Sequence, residues 1–238
     1  MNKIKCVFGD EVVIPGTVIE DLGDIKPFSN TFLGPGLTRS PQGTVIANHC
    51  GILKANITSY WIDTCSKRYI PKRGDYVIGT IKRKMGDYYA VDIGSSEEAV
   101  IHFLAFEGAT KLKRPEIQRG DSIYAVVIIS DPQQQPELAC IDHNGKEGKM
   151  GLLMSDGLIF KCSLNLVRKI LNPKCCILEL LGETIKYEIA VGLNGKVWVN
   201  AVNVRSTIAI SNAILASENL TNNEIEKNCL NIFKTVLH

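Results

Sequence analysis

Short apolar runs alternate with clusters of glycine, proline, asparagine and serine over the first 70 residues. The runs are VVIPG (12–16), FLGPGL (32–37), TVIANHCGIL (44–53) and YWID (60–63). Apolar runs of this length between turn-forming residues are typical of β-strands, and none of them has helical spacing. We therefore predict a small all-β domain at residues 1–70.

Longer runs with strict alternation follow in residues 71–146. In YVIGTIK (76–82), Val77, Gly79 and Ile81 fall on one face of a predicted strand. Four similar segments follow: DYYAVDI (87–93), EAVIH (98–102), SIYAVVII (122–129) and ELACID (137–142). Five strands in about 70 residues predict a small closed barrel, and the OB fold is the commonest barrel of that size.

Helical and extended patterns mix in residues 147–238. SLNLVRKIL (163–171) has the apolar spacing of a helix. Two further helices are predicted to close the chain, and Thr221 and Glu224 form a capping box at the start of the last one. Three segments are predicted as strands: CCILELLG (175–182), TIKYEIAVG (184–192) and KVWVNA (196–201). This part is predicted to be an α+β domain, so the chain as a whole is multidomain, β plus α+β.

Net charge and the N-terminal segment indicate which kinds of partner to expect. The net charge of +2 is too small to identify a nucleic-acid-binding protein, so any cationic surface must be local. The N-terminal MNKIKCVFGDEVV has no long apolar run after its charges, which argues against a secretory signal or a membrane anchor. We expect a soluble intracellular protein with no membrane partner.

Catalytic and metal-binding motifs are missing from the sequence. The eight cysteines include no Cys-x-x-Cys and no Cys/His pair at ligand spacing. The chain also lacks a P-loop, a Gly-x-Ser-x-Gly and a His-Glu-x-x-His. We therefore expect no metal, no cofactor and no enzymatic activity.

One face of the predicted barrel combines positive charge with an aromatic side chain. Tyr88 points away from the predicted core face, and His102 ends the third strand beside it. Barrels of this type bind single-stranded nucleic acid through phosphate contacts and base stacking. Basic residues are predicted in the turn after the first strand and in the long loop before the fourth: Lys82, Arg83, Lys84, Lys111, Lys113 and Arg114.

A Gly-x-x-Gly loop lies between the strands of the α+β domain. In KH domains such a loop grips the RNA backbone, and charge at its two middle positions helps. Here Leu193 and Asn194 stand between Gly192 and Gly195, and the strand that contains Trp198 follows directly. Leucine favours burial and asparagine suits a tight turn, so we predict a structural loop rather than an RNA clamp.

Several segments together resemble the cap subunits of the eukaryotic RNA exosome, which combine an N-terminal domain, an S1 domain and a KH domain. The resemblance spans essentially the whole chain. It rests on five segments: FLGPGL (32–37), RYIPKRGDYVIGTI (68–81), FEGATKLKRPEIQRGDSIYA (106–125), PELACID (136–142) and GLNGKVWV (192–199).

This resemblance implies a non-catalytic subunit of the nucleus and nucleolus, and also of the cytoplasm. Its partners would be single-stranded RNA, a ring of RNase PH-like subunits, the other cap subunits and a separate 3′-to-5′ exoribonuclease. The N-terminal domain would contact the ring and Gly192–Gly195 would be buried. The S1 surface would carry Lys82, Arg83, Lys84, Tyr88 and His102, with Lys111, Lys113 and Arg114 on its long loop.

Three other interpretations stay open on the sequence. One is the sister cap subunit with the same domain plan. Another is a free-standing RNA-binding regulator that uses both the S1 and the KH domain. The last is an intrinsic nuclease.

Overall fold

The computed structural model describes residues 3–4, 11–19, 32–56, 59–64, 66–131, 133–142, 144–146, 148–154 and 156–237. The chain divides into two compact units, Met1–Ser66 and Lys67–His238. Among the described residues, one buried hydrophobic cluster lies in the first unit and two lie in the second.

The described part of the first unit consists of short strands, as the sequence predicted. They are β1 (Lys3–Ile4), β2 (Glu11–Val13), β3 (Val18–Ile19), β4 (Phe32–Leu33), β5 (Leu37–Arg39), β6 (Val45–Ala47), β7 (Gly51–Ala55) and β8 (Ser59–Asp63). They form two sheets with the orders β1-β3-β6-β5 and β2-β7-β8-β4. Alternate side chains, such as Val13, Val45 and Ile62, pack into a common core.

Three predicted strands of this unit are broken by turns. The prediction of one strand at 44–53 was wrong, because the chain turns at residues 48–50 and places β6 and β7 in different sheets. The turn lets Val45 and Leu53 enter the same core from two sheets, which one straight strand could not do. Within VVIPG, strand β2 ends at Val13. Within FLGPGL, the chain turns between β4 and β5.

The second unit begins with a closed five-stranded barrel, which confirms the predicted S1 (OB-fold) architecture. Its strands are β9 (Tyr76–Met85), β10 (Tyr88–Asp92), β11 (Ala99–His102), β12 (Ser122–Ile129) and β13 (Glu137–Ala139), with β14 (Gly151–Leu152) added beside β12. The order is β13-β11-β10-β9-β12-β14, and pairing of β12 with β13 closes the barrel. Val77, Ile81, Tyr89 and Ile123 are among the side chains that fill it.

Two details of the barrel differ from the prediction. Lys82, Arg83 and Lys84 lie within β9 and not in the turn, which is formed by Gly86 and Asp87. Hydrogen bonding to β10 extends the strand despite its polar sequence. The last strand is shorter than ELACID and ends at Ala139.

The remainder of the second unit has the predicted α+β content of a KH-type domain. Its elements are β15 (Leu158–Lys161), α1 (Leu164–Ile170), α2 (Ile177–Thr184), β16 (Tyr187–Gly192), β17 (Lys196–Ala201), α3 (Val204–Ala216) and α4 (Asn222–Leu237). The sheet order is β15-β17-β16, all antiparallel. Helix α3 packs on β17, and α4 packs on α2 and α3.

The prediction of a strand at 175–182 was wrong, because this segment forms α2. Ile177 and Leu181 are four residues apart and both are fully buried, so they share the inner face of a helix. A short apolar run does not distinguish a buried strand from a buried helix, and here the leucine and glutamate residues favour the helix. The helix ends at Thr184, so the following strand starts only at Tyr187 and not at 184 as predicted.

Candidate nucleic-acid interface

Strands β9 and β10 form a hairpin with a bulge at its basic segment. Ala90 pairs with Arg83, whereas the next residue, Val91, pairs with Ile81, so Lys82 is the extra residue of β9. A bulge rotates the strand beyond it and changes the direction of its side chains. Lys82, Arg83 and Lys84 are all exposed at this end of β9, as is the following Met85.

Each of these three cations has a neighbouring group in the barrel domain. Lys82 Nζ lies 3.4 Å from Asp92 Oδ2, and Arg83 Nη2 lies 3.2 Å from Glu98 Oε2. Lys84 Nζ lies 5.8 Å from the ring centroid of Tyr89. Ion pairs this exposed contribute little to stability, so a phosphate can replace the carboxylates at small cost.

Tyr88 and His102 form an aromatic pair beside this segment. They are opposite residues of β10 and β11, and their rings meet edge to face with centroids 4.8 Å apart. Tyr88 is 42% exposed. The Nδ1 atom of His102 accepts a hydrogen bond from the Leu104 N–H at 3.1 Å, which fixes the ring and directs Nε2 away from the backbone. A base can therefore stack on a tyrosine that is already held in place.

Arg114 joins the long loop to this pair. Its guanidinium lies 4.6 Å from the ring centroid of Phe103, and its Nη2 lies 3.0 Å from Asp87 Oδ1 in the β9–β10 turn. Phe103 in turn lies against His102, with ring centroids 4.7 Å apart. We call these five residues the barrel-end cluster: Asp87, Tyr88, His102, Phe103 and Arg114.

The structure thus brings together three of the predicted residues: Tyr88, His102 and Arg114. Lys111 and Lys113 are exposed on the same loop, and the loop is held locally by the Lys113 N–H, which donates to Thr110 Oγ1 at 3.0 Å. Sequence reasoning missed Phe103 and Asp87, which position Arg114. A phenylalanine next to a strand-ending histidine and an aspartate in a Gly-Asp turn were the available signals.

Asn194 binds the KH loop to the barrel. It is only 8% exposed. Its Nδ2 donates to the carbonyls of Ile78 at 2.8 Å and Ile93 at 2.7 Å, and its Oδ1 accepts from the Ile78 N–H at 3.2 Å. Leu193 packs against the cores of both domains. Ile78, on the outer face of β9, is therefore fully buried.

Two backbone donors of this loop, in Leu193 and Gly195, are engaged within the chain. The Leu193 N–H donates to Tyr76 O at 2.8 Å, and the Gly195 N–H donates to Gly192 O at 3.1 Å. Gly195 has φ +77°, and a Cβ there would lie 2.7 Å from Cys162 O, so only glycine fits. Trp198 follows as a 5% exposed side chain whose Nε1 donates to Met154 O at 3.3 Å.

Neither metal ligands nor membrane spans emerge from the described ranges. Over these residues, no group of three or more histidine, cysteine, aspartate or glutamate side chains is arranged to hold a metal ion. In the same part of the chain, no helix has both the length and the hydropathy needed to cross a bilayer.

Comparison with known proteins assigns the family. Residues 69–151 match the family model for the S1 domain of exosome complex component RRP40, and residues 157–205 match a KH domain model. An RRP40 of Drosophila melanogaster is 43% identical over 222 residues, which cover 93% of this chain and 95% of that protein. This chain belongs to the RRP40 family.

Two RRP40 proteins of lower identity agree with this assignment and with the predicted resemblance, and a solved structure shares the fold. RRP40 of Homo sapiens is 39% identical over 80% of this chain and 72% of its own length. RRP40 of Saccharomyces cerevisiae is 33% identical over 85% of this chain and 87% of its own. A solved structure of an RNA-binding protein assigned to an exosome complex has the same fold, with a TM-score of 0.59 at 24% identity, over 71% of this chain and 98% of that one.

Proposed function

We propose that this chain is a non-catalytic cap subunit of an RNA exosome. It binds single-stranded RNA on the S1 barrel and guides it towards a separate 3′-to-5′ exoribonuclease for degradation and for processing of ribosomal and other RNA. The relatives at 33–43% identity carry the name of an exosome component, which supports this role. The sister cap subunit is disfavoured because these relatives are RRP40 proteins.

The barrel-end cluster is the observation that carries the proposal. It offers an exposed, prepositioned aromatic ring next to a guanidinium, with the basic segment of β9 alongside. Stacking on a fixed ring and contacts to phosphates do not depend on base identity. The proposed RNA-binding residues are Lys82, Arg83, Lys84, Tyr88, His102, Lys111, Lys113 and Arg114.

The KH loop has a structural role in this proposal. The side chain of Asn194 and the backbone N–H groups of Leu193 and Gly195 are used in contacts within the chain, which leaves no cradle for a phosphate. A free-standing regulator would need an open loop, so Leu193→Lys would be harmless or would improve RNA binding. We expect instead a lower melting temperature, because the lysine charge would be placed between two hydrophobic cores.

The proposed domains are 1–70, 71–146 and 147–238. The N-terminal domain contacts the ring of RNase PH-like subunits, and the assembled complex includes other cap subunits and an exoribonuclease. The protein acts in the nucleus and nucleolus and in the cytoplasm. Affinity purification of the tagged protein tests these partners, and recovery of no RNase PH-like subunit would contradict the proposal.

RNA binding is tested by titrating purified chain with labelled single-stranded RNA at several salt concentrations. The variant Lys82→Ala/Arg83→Ala/Lys84→Ala should bind more weakly and flatten the logarithmic salt dependence by roughly 2, about 0.7 per lost phosphate contact. The matched control replaces three exposed lysines elsewhere, Lys149, Lys174 and Lys186. Equal affinity of both variants would exclude the S1 surface.

The same RNA tests the absence of catalysis. Incubation with Mg²⁺ should leave its length unchanged. Shortening of the RNA that increases with the concentration of this protein and persists through further purification would establish the nuclease alternative.

A further inference from the structure

Four charged residues meet where the barrel contacts the KH domain. Lys196 Nζ donates to the backbone carbonyl of Asp92 at 2.9 Å, and Lys82 Nζ lies 3.4 Å from the Asp92 carboxylate. Lys161 is the direct cross-strand partner of Lys196 in the β15–β17 pair. We call Lys82, Asp92, Lys161 and Lys196 the junction cluster.

Positive charge is in excess in this cluster. Its one carboxylate faces three ammonium groups, and Lys82–Asp92 is the one ion pair within it among the described residues. Although burial opposes the effect, the Gly94 N–H and the charges of Lys196 and Lys82 hold the pKa of Asp92 below its usual range. Asp92 is therefore a carboxylate at neutral pH, and within the junction cluster positive charges exceed negative charges by two.

The arrangement is unfavourable for the isolated chain. Like charges directly opposite each other on neighbouring strands repel. Burial lowers the pKa of Lys196, and the neighbouring Lys161 and Lys82 add to this effect. Lys196 is 8% exposed, so its ammonium group cannot move out into solvent without a change in the fold. Lys161, at the end of β15, is exposed. An anion that binds between these lysines would remove the repulsion.

The cluster also continues the proposed RNA surface. Lys82 belongs to both, since it is the bulged residue of the basic segment and the partner of Asp92. Lys161 shares the face of the KH sheet from which Lys196 reaches the barrel, because directly opposed residues of two strands point the same way. The positive charge thus runs from β9 across the domain boundary to β15.

We propose that the junction cluster binds a backbone phosphate of single-stranded RNA, with Lys161 as the exposed KH-domain contact. The KH domain then contributes to RNA binding through the edge of its sheet and not through its Gly-x-x-Gly loop. This inference rests on the proposed function, because it extends the S1 path of the same RNA.

The test measures labelled single-stranded RNA with purified full-length chain across a series of salt concentrations. Lys161→Gln should reduce affinity about fivefold near 0.1 M salt and flatten the logarithmic salt slope by about 0.7, the contribution of one phosphate contact. The matched control is Lys186→Gln, an exposed lysine next to β16, which should match the parent chain. Equal affinity of the parent and Lys161→Gln would overturn the proposal.

A second variant, Asp92→Asn, should raise the RNA affinity, whereas Lys161→Gln should lower it. Asp92→Asn keeps an oxygen that can accept the Gly94 N–H, which Asp92 Oδ1 now accepts at 2.9 Å, but it removes the competing negative charge. RNA affinity should then rise by about fivefold near 0.1 M salt, with a steeper salt slope. Unchanged or weaker binding by a variant that melts like the parent would count against a phosphate at this position.

The outcomes separate this inference from the proposed function. If the parent chain binds no RNA, the proposed function itself fails. If the parent binds RNA and only the β9 triple variant loses affinity, the S1 path stands and the junction cluster is excluded. If Lys161→Gln instead weakens capture of an acidic protein subunit while RNA binding is unchanged, the cluster is a protein contact and the proposal is wrong.

Discussion

Asn194 shows how one side chain sets the chemistry of a loop. Its amide supplies two donors and one acceptor to backbone groups of the barrel. A buried backbone group without a partner costs about 1–3 kcal/mol, so these contacts hold the loop firmly in place. At the same scale, Tyr88 has the opposite character, because its ring is exposed and available to a ligand.

Replacement of Asn194 should destabilise the second unit. Asn194→Ala removes all three hydrogen bonds, and we expect the free energy of unfolding to fall by about 2–4 kcal/mol. The measurement is urea denaturation followed by circular dichroism. Asn212→Ala on the exposed side of α3 is the control and should change stability little or slightly raise it. A loss below about 0.5 kcal/mol for Asn194→Ala would show that the loop is held by other contacts.

Replacement of Tyr88 should affect binding without affecting stability. Tyr88→Ala removes the proposed stacking surface and should weaken single-stranded RNA binding by about 1–3 kcal/mol. Tyr88→Phe keeps the ring and should bind like the parent chain. Fluorescence anisotropy with labelled RNA measures the affinity of both variants. An equal loss of affinity in both would show that the hydroxyl group, and not ring stacking, makes the contact.

At the level of elements, local sequence and tertiary contacts each decide some features. Helix α4 begins as its capping box predicts, since the Thr221 N–H and hydroxyl both donate to Glu224 Oε2 at 2.8 Å. The run at 175–182 forms a helix in which Ile177 and Leu181 pack into the KH core, so tertiary packing adds to the local helix propensity there. The bulge at Lys82 likewise depends on pairing with β10.

The capping box predicts a pH dependence of stability. Hydrogen bonds from the Thr221 N–H and hydroxyl lower the pKa of Glu224 from its ordinary 4.5. A carboxyl whose pKa is depressed in the folded state contributes stability above its unfolded value and loses it as the pH falls through the folded value. Thermal melts of the parent and of Glu224→Gln should therefore differ at neutral pH and converge as the pH falls below about 4.5. A constant difference across this range would exclude the mechanism.

At the scale of the whole molecule, the barrel and the KH domain fall within one compact unit, Lys67–His238. Leu193 packs against both cores, and Asn194 donates hydrogen bonds to the carbonyls of Ile78 in β9 and of Ile93 just after β10. The two domains should therefore not unfold independently.

Hydrogen exchange can measure this coupling. In Leu193→Ala, protection should fall both in β9 of the barrel and in β17 of the KH domain, because one packing contact is removed from each core. Val191→Ala is the matched control, since Val191 is packed only in the KH core. Loss of protection confined to β17 in both variants would show that the domains open separately.

Much of the fold and part of the candidate site could be predicted from the sequence. Alternation in 76–82 and 122–129 determined the barrel strands, and the order of domains with GLNGKVWV indicated the family, which the comparisons confirmed. The position of Arg114 could not be predicted, because Phe103 and Asp87 reach it from separate segments. The predicted RNA-binding residues themselves stay predictions until binding is measured.

The sequence alone determined the periodic elements, the class of each domain and the unusual Leu-Asn pair of the KH loop, because these depend on neighbours a few residues apart. Only the tertiary structure decided which carbonyls Asn194 would meet, that Ile78 would be covered, and that Lys196 of the KH domain would reach Asp92, the ion-pair partner of Lys82. Contacts between residues about a hundred positions apart depend on how two packed cores fit together, and no local pattern records that fit.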